Sequence, residues 1–230
     1  MITNLELENL FIFDIETVPQ YQSFEELEKN NKLLADVWKN KFSLRFTKDG
    51  SLTYEEAYIQ KAALYPEFGK IICISFGKIF ENEEIKLHNV SIGDSDFDEH
   101  KFLLKIANIF RKNDTRSLSG FNVVNFDIPY LYKKFIIHEI SIPNQFKVQN
   151  LKPWEYKFYD LMKYYMFNSY DMISLNLLCI SLGIESPKEL MDGGDVLDYF
   201  YNKKDLSKIG EYCNKDVESV AKIFIKLSKL

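Results

Sequence analysis

Cysteine is scarce in this chain. Cys73, Cys179 and Cys213 are the three it has, far apart and with no CxxC pair. That argues against a zinc site and against a disulfide framework, and fits a reducing compartment. Long apolar runs are missing too: no uninterrupted segment approaches the roughly 20 residues that span a bilayer. The opening MITNLELENL has no basic stretch followed by an apolar run, so no secretion signal is expected and the protein reads as soluble and cytoplasmic. An excess of positive charge is lacking. The formal net charge of -5 argues against a surface that coats nucleic acid broadly. It does not exclude an enzyme acting on nucleic acid, because bound cations reverse the local sign of a carboxylate site. There is no Walker lysine, no internal repeat and no low-complexity segment.

What remains is an ordinary core-forming composition, 46% hydrophobic over 230 residues. The length suits one domain covering 1–230, with a probable helical insertion at about 20–66, where charged, nearly balanced helical patterns occur. Ser23 and Glu26 have the spacing of a capping box there. Residues 10–16 read as a buried strand stopped by Pro19. KIICISFGKIF (70–80) and EIKLHNVSI (84–92) read as a hairpin. Helices are expected at 97–112, 128–140, 173–183, 194–202 and from Leu206 onward, with a short strand at 117–122. Strands, then a strand–helix unit, then several helices give an α/β expectation: a mixed β-sheet flanked by helices on both faces.

Within that frame the acids fall in three telling places. In FIFDIETVP, Asp14 and Glu16 are two apart on a strand and share a face. Burying both is costly unless something compensates the charge. In GFNVVNFDIPYL, Asp127 precedes a helix, and on its own reads as a helix cap more readily than as a ligand. In EYCNKDVESV, Tyr212 and Asp216 are four apart and share a helix face. Four converging carboxylates would repel strongly, and a pair of divalent cations removes that problem. Two such ions roughly 4 Å apart can activate a water and stabilise the oxygen that leaves a phosphodiester.

Taken together and in this order, FDIETVP, GFNVVNFDIPYL and YCNKD resemble motifs I, II and III of the DEDD 3′–5′ exonucleases, whose domain is ribonuclease H-like. The tyrosine four residues before the last aspartate marks the DEDDy branch; the histidine of the DEDDh branch is replaced by Glu211. Gly120-Phe121-Asn122 and Phe126-Asp127-Ile128-Pro129-Tyr130 are similar to the proofreading domain of family B DNA polymerases. Lys152-Pro153-Trp154-Glu155, Ser174-Leu175-Asn176-Leu177-Leu178, Pro187-Lys188 and Tyr212-Cys213 resemble a stand-alone bacterial group related to that domain.

The resemblance implies that Asp14, Glu16, Asp127 and Asp216 hold two divalent cations, Mg²⁺ or Mn²⁺, and that Tyr212 orients the attacking water. It further implies that the Thr17 backbone and Asn122 lie near the terminal nucleotide and that Phe126 packs against the site. The implied activity is metal-dependent 3′–5′ hydrolysis of single-stranded DNA, releasing nucleoside 5′-monophosphates. The implied partners are single-stranded 3′ ends, DNA before RNA, with no membrane and with association in trans with replication or repair proteins. Exoribonuclease activity stays open, as does a non-catalytic nucleic-acid-binding module of the same fold.

Several acids have plainer readings. Asp94, Asp96 and Asp98 lack the glycine and glutamate of a calcium loop and read as a solvated helix start. A haloacid dehalogenase-like phosphatase would need an aspartate where Glu16 stands. Asp195 reads as a helix cap, and so does Asp160 ahead of a channel-lining role. Trp154 and the tyrosines of 156–170 suit base stacking or core packing. Six lysines between 133 and 163, against three acids, suit a short basic path or a solvated face.

Overall fold

The computed structural model describes residues 4–48, 50–152, 155–186 and 193–230. Pro153, Trp154, Pro187 and Lys188 lie outside the described residues. In chain order the elements are α1 (Asn4–Asn9), β1 (Leu10–Pro19), α2 (Phe24–Asn30), α3 (Lys32–Val37), α4 (Leu44–Thr47) and α5 (Tyr54–Lys61). Next come β2 (Gly69–Ile79), β3 (Ile85–Ser91), α6 (Glu99–Arg111), β4 (Ser117–Gly120) and α7 (Asp127–Ile137). The last are β5 (Phe158–Asp160), α8 (Leu161–Met166), α9 (Leu175–Ser181), α10 (Val196–Asp198) and α11 (Leu206–Ser228).

The five strands form one mixed sheet in the order β3-β2-β1-β4-β5. β1 pairs antiparallel with β2 and parallel with β4, so it sits where the two halves of the sheet meet. Its burial is nearly continuous because both faces are covered. Phe11, Phe13 and Ile15 join a cluster with Phe102, Ile106 and Phe110 of α6. Leu10 and Ile12 join one with Val217, Val220 and Phe224 of α11. This is the mixed, two-sided α/β architecture that the sequence leads one to expect.

β1 does not stop before Pro19. It pairs through Thr17, Val18 and Pro19 with Ile71, Lys70 and Gly69. Pro19 is tolerated because it is the last paired residue, where a missing N–H costs least, and Gln20 N then donates to Phe68 O at 2.8 Å. A bulge between Glu16 and Thr17 shifts the register. Such a bulge re-aims neighbouring side chains.

The 20–66 region folds as short helices around its own cluster, with Trp38 and Tyr58 fully buried beside Phe24 and Phe68. Asn31 both ends α2 and caps α3 through its side chain. Ser23 does cap α2, but Glu26 accepts from Gln22 N and not from Ser23 N, so the box is offset by one residue. The complete box is at Thr53 and Glu56. A buried ion pair, Lys134 Nζ to Glu99 at 2.9 Å, ties α7 to α6, and the same carboxylate oxygen accepts from Ile71 N of β2. Among the described residues, no helix is long and apolar enough to cross a membrane.

Candidate active site

β4 follows β1 only as far as the pairing Ile12↔Ser119. Beyond it the chain turns away into the 121–126 loop, leaving the upper β4-facing edge of β1 without a strand neighbour. Gly120 makes the turn possible, since a Cβ there would stand 2.7 Å from the Phe13 carbonyl. The open edge is closed by a side chain. Asp127 Oδ1 accepts the Ile15 N–H at 3.1 Å, in the place a β4 carbonyl would otherwise take. Asp127 is therefore not the cap of α7. It is the first helical residue, Phe126 holds the cap position without a side-chain bond, and the carboxylate reaches across to β1.

The opposite wall is α11. Tyr212, Cys213 and Asp216 face β1 one turn apart. The Cys213 thiol donates to the Asp14 carbonyl at 3.3 Å and lies 3.6 Å from Asp14 Oδ2. Ligand atoms of Asp14, Glu16 and Cys213 all lie within 4.8 Å of one another. Tyr212 hydrogen-bonds Asp216. Behind them Asn89 of β3 donates to Cys73 Sγ at 3.0 Å and Ser75 Oγ at 2.8 Å, and Cys73 in turn hydrogen-bonds Cys213. The cysteines are thus free, as expected, yet Cys73 and Cys213 are neighbours in space.

The electrostatics follow from that crowding. Burial, then the charges of Asp127, Asp216 and Glu16, hold Asp14 well above the usual carboxylate range, against the pull of the Cys213 hydrogen bond. Burial and the charges of Asp216 and Asp127 do the same to Glu16. Asp127 is pushed up to about 8 by burial, with Asp160 and Asp216 adding to it and the Ile15 N–H opposing. Burial and the three nearby acids raise the Tyr212 hydroxyl as well, so it stays a neutral donor. Among the described residues none of the ion pairs includes Asp14, Glu16 or Asp127. Carboxylates gathered at the edge of the core, as Asp14, Glu16 and Asp127 are, have the donor chemistry of a hard divalent ion. The Cys213 thiol, raised by burial, is a hydrogen-bond donor to Asp14, not a competing soft ligand.

A cleft of 540 Å³ meets this cluster at Glu16. Glu16, Thr17 and Phe126 line it from one side, Ile59 and Leu64 from another, and Gly193, Gly194 and Leu197 from a third. Asn122 is not in that lining. It sits at a left-handed turn (φ 59) and its side chain accepts from Asn125. Asp160 is a cap, as its sequence context suggests, donating nothing and accepting from Lys163 N; it also accepts from Asn122 N and Val124 N at 3.1 and 3.0 Å, which fixes the loop ahead of Asp127. Asp94 closes a capping box with Ser91, and Asp98 caps α6. Asp195 occupies the cap position of α10 without a side-chain cap bond. Three contributions escaped the sequence: Cys213 against Asp14, the Asp127 latch on β1, and the wall from residues 59–64. The first two join residues 199 and 112 positions apart, and no local pattern signals them.

The mixed five-stranded sheet with helices on both faces is the ribonuclease H-like class of fold. Residues 63–230 match the family described as "Predicted 3'-5' exonuclease related to the exonuclease domain of PolB", and the chain belongs to it. Among solved structures the chain is similar to the family B DNA polymerase from the hyperthermophilic archaeon Pyrobaculum calidifontis, with a TM-score of 0.57 and 14% sequence identity. The match covers 95% of this chain and 24% of the polymerase, a likeness of fold. No curated protein matches the chain in sequence.

Proposed function

We propose that this protein is a metal-dependent 3′–5′ exonuclease that hydrolyses the terminal phosphodiester of single-stranded DNA and releases nucleoside 5′-monophosphates. The observation that carries the reading is Asp14 and Glu16 side by side, with Asp127, Asp216 and Tyr212 close enough to feel their charge, beside a nucleotide-sized cleft that Glu16 lines. Their donor set fits two divalent cations, Mg²⁺ or Mn²⁺, held by Asp14, Glu16, Asp127 and Asp216. Bound there, such ions supply charge neutralisation for the phosphate, an acidified water and stabilisation of the leaving 3′ oxygen.

The chain's own residues do the remainder. Cys213 holds Asp14 from behind, and Asp127 locks β1 against α7. A rigid strand keeps Asp14 and Glu16 within the tolerance a ligand set needs. Tyr212, neutral and tied to Asp216, orients the attacking water by hydrogen bonding and is not a covalent nucleophile. Thr17 and Phe126 seat the terminal nucleotide in the cleft, and the loop from Asn122 frames it. Association in trans with replication or repair proteins belongs to the same proposal.

The test uses a 5′-labelled single strand with Mg²⁺ or Mn²⁺. A ladder shortening from the 3′ end, stopped by chelator and by Asp14→Ala with Glu16→Ala, is the expected result. Intact strand in every metal would refute the activity. Unchanged cleavage by the double variant would refute the site. An RNA strand run in parallel decides the substrate.

A further inference from the structure

After α8 the chain does something unusual for its composition. In Tyr164-Tyr165-Met166-Phe167-Asn168-Ser169-Tyr170-Asp171-Met172 the large side chains point outward. Tyr164 is 42% exposed, Tyr165 45%, Phe167 87%, Tyr170 98% and Met172 78%. Single exposed apolar residues need no explanation, but a run of this kind marks a surface that binds something. Phe167 and Asn168 both adopt left-handed backbone (φ 42 and 66), a conformation that costs energy at a bulky residue and here turns the rings out of the protein.

We propose that Lys163–Met172 is a stacking platform for bases of the single strand upstream of the scissile nucleotide. The inference rests on the exonuclease reading and names the path by which its substrate reaches the site. Three observations select a nucleic-acid strand. First, the platform is continuous with the site: Asp160 caps α8, which leads into these rings, and the same carboxylate holds Asn122 N and Val124 N of the loop that ends at Asp127. Second, a groove of 290 Å³ at the start of the platform is lined by Val124 of that loop and by Lys163 and Tyr164. Third, ammonium groups stand close to the rings in sequence and can meet phosphates. Lys157 and Lys163 are exposed and in no ion pair among the described residues. Of the nearby acids, Asp160 is buried against backbone N–H groups, while Glu155, which accepts from Lys152 N, and Asp171 are exposed.

Exposed ring faces beside a lysine accept any base and read no sequence. The platform does for the strand what the cleft does for its last nucleotide.

The experiment measures anisotropy of labelled oligothymidylates of about 3 and about 12 nucleotides with the full chain. Ca²⁺ replaces Mg²⁺ to hold back hydrolysis. In Phe167→Ala with Tyr170→Ala, binding of the longer strand is expected to weaken about tenfold or more per ring. Binding of the shorter one is expected to be unchanged. Tyr170→Phe is expected to bind as the parent, since the ring and not the hydroxyl does the stacking. These side chains are exposed, so an unchanged thermal midpoint is also expected. Undiminished affinity for the longer strand in the double variant overturns the proposal, and so does an equal loss at both lengths. The exonuclease reading fails on a different result: a parent chain that leaves 3′ ends intact in Mg²⁺ while still binding long strands through these rings.

Discussion

Replacing Asp127 by asparagine should make the metal-free protein more stable and the enzyme inactive. Asparagine keeps a carbonyl to accept the Ile15 N–H, so the latch on β1 survives. It removes a carboxyl that the apo protein keeps protonated, at a cost, at neutral pH. Asp127 is 2% exposed, and its carboxyl is pushed up to about 8 from an ordinary 3.8. A carboxyl with its folded pKa raised contributes stability that is full below about pH 4 and is lost as the pH rises to about 8. At neutral pH about three pH units of that loss have accrued, at about 1.4 kcal/mol each, or ~4 kcal/mol. The new amide is buried with an NH₂ to satisfy, which takes back ~1–2 kcal/mol. The net gain is ~2–3 kcal/mol, or ~5–10 °C in Tm for a chain of this size. The assay is a thermal melt in chelator from pH 5 to 9, repeated with Mg²⁺. The parent's midpoint should fall as pH rises, with a shallower fall in the variant, and Mg²⁺ should rescue the parent far more than the variant. A variant that melts lower than the parent in chelator at pH 8, or gains as much from Mg²⁺, would refute the electrostatic reasoning.

Two further substitutions separate the roles around that cluster. Tyr212→Phe should lower kcat about a hundredfold, the order expected for a lost proton-handling or water-orienting group, while the Mg²⁺ titration midpoint stays put; loss of metal binding would reassign the residue. Cys213→Ala removes the donor to Asp14 and should raise the Mg²⁺ concentration for half-maximal activity about tenfold, with Cys213→Ser restoring much of it. An alanine variant with parental metal dependence would show that the thiol is packing alone.

The acids of the site were legible because each carries its context with it: two on one face of an apolar strand, one before a proline-opened helix, and one a turn after a tyrosine. So were the hairpin and the long last helix, whose periods are strong. What escaped was set by partners distant in sequence. β5 is three residues whose pairing with β4 defines it, and nothing in Phe158–Asp160 announces a strand. Asp127 read as a cap because the sequence shows the helix it opens and not the bare edge of β1 it must close. The tyrosines of 156–170 suited a core as well as a surface. Tyr164, Tyr165 and Tyr170 are exposed because α8 ends after six residues in a left-handed turn, and a Phe-Asn pair gives no strong signal for that.

The central claim is that Asp14, Glu16, Asp127 and Asp216 are ligands of catalytic cations. Anomalous diffraction from crystals soaked with Mn²⁺ and a nucleoside 5′-monophosphate tests it most directly. Two anomalous peaks bonded by oxygens of these four carboxylates, beside the nucleotide phosphate, are the predicted result. No peak at those carboxylates under saturating Mn²⁺ would contradict it.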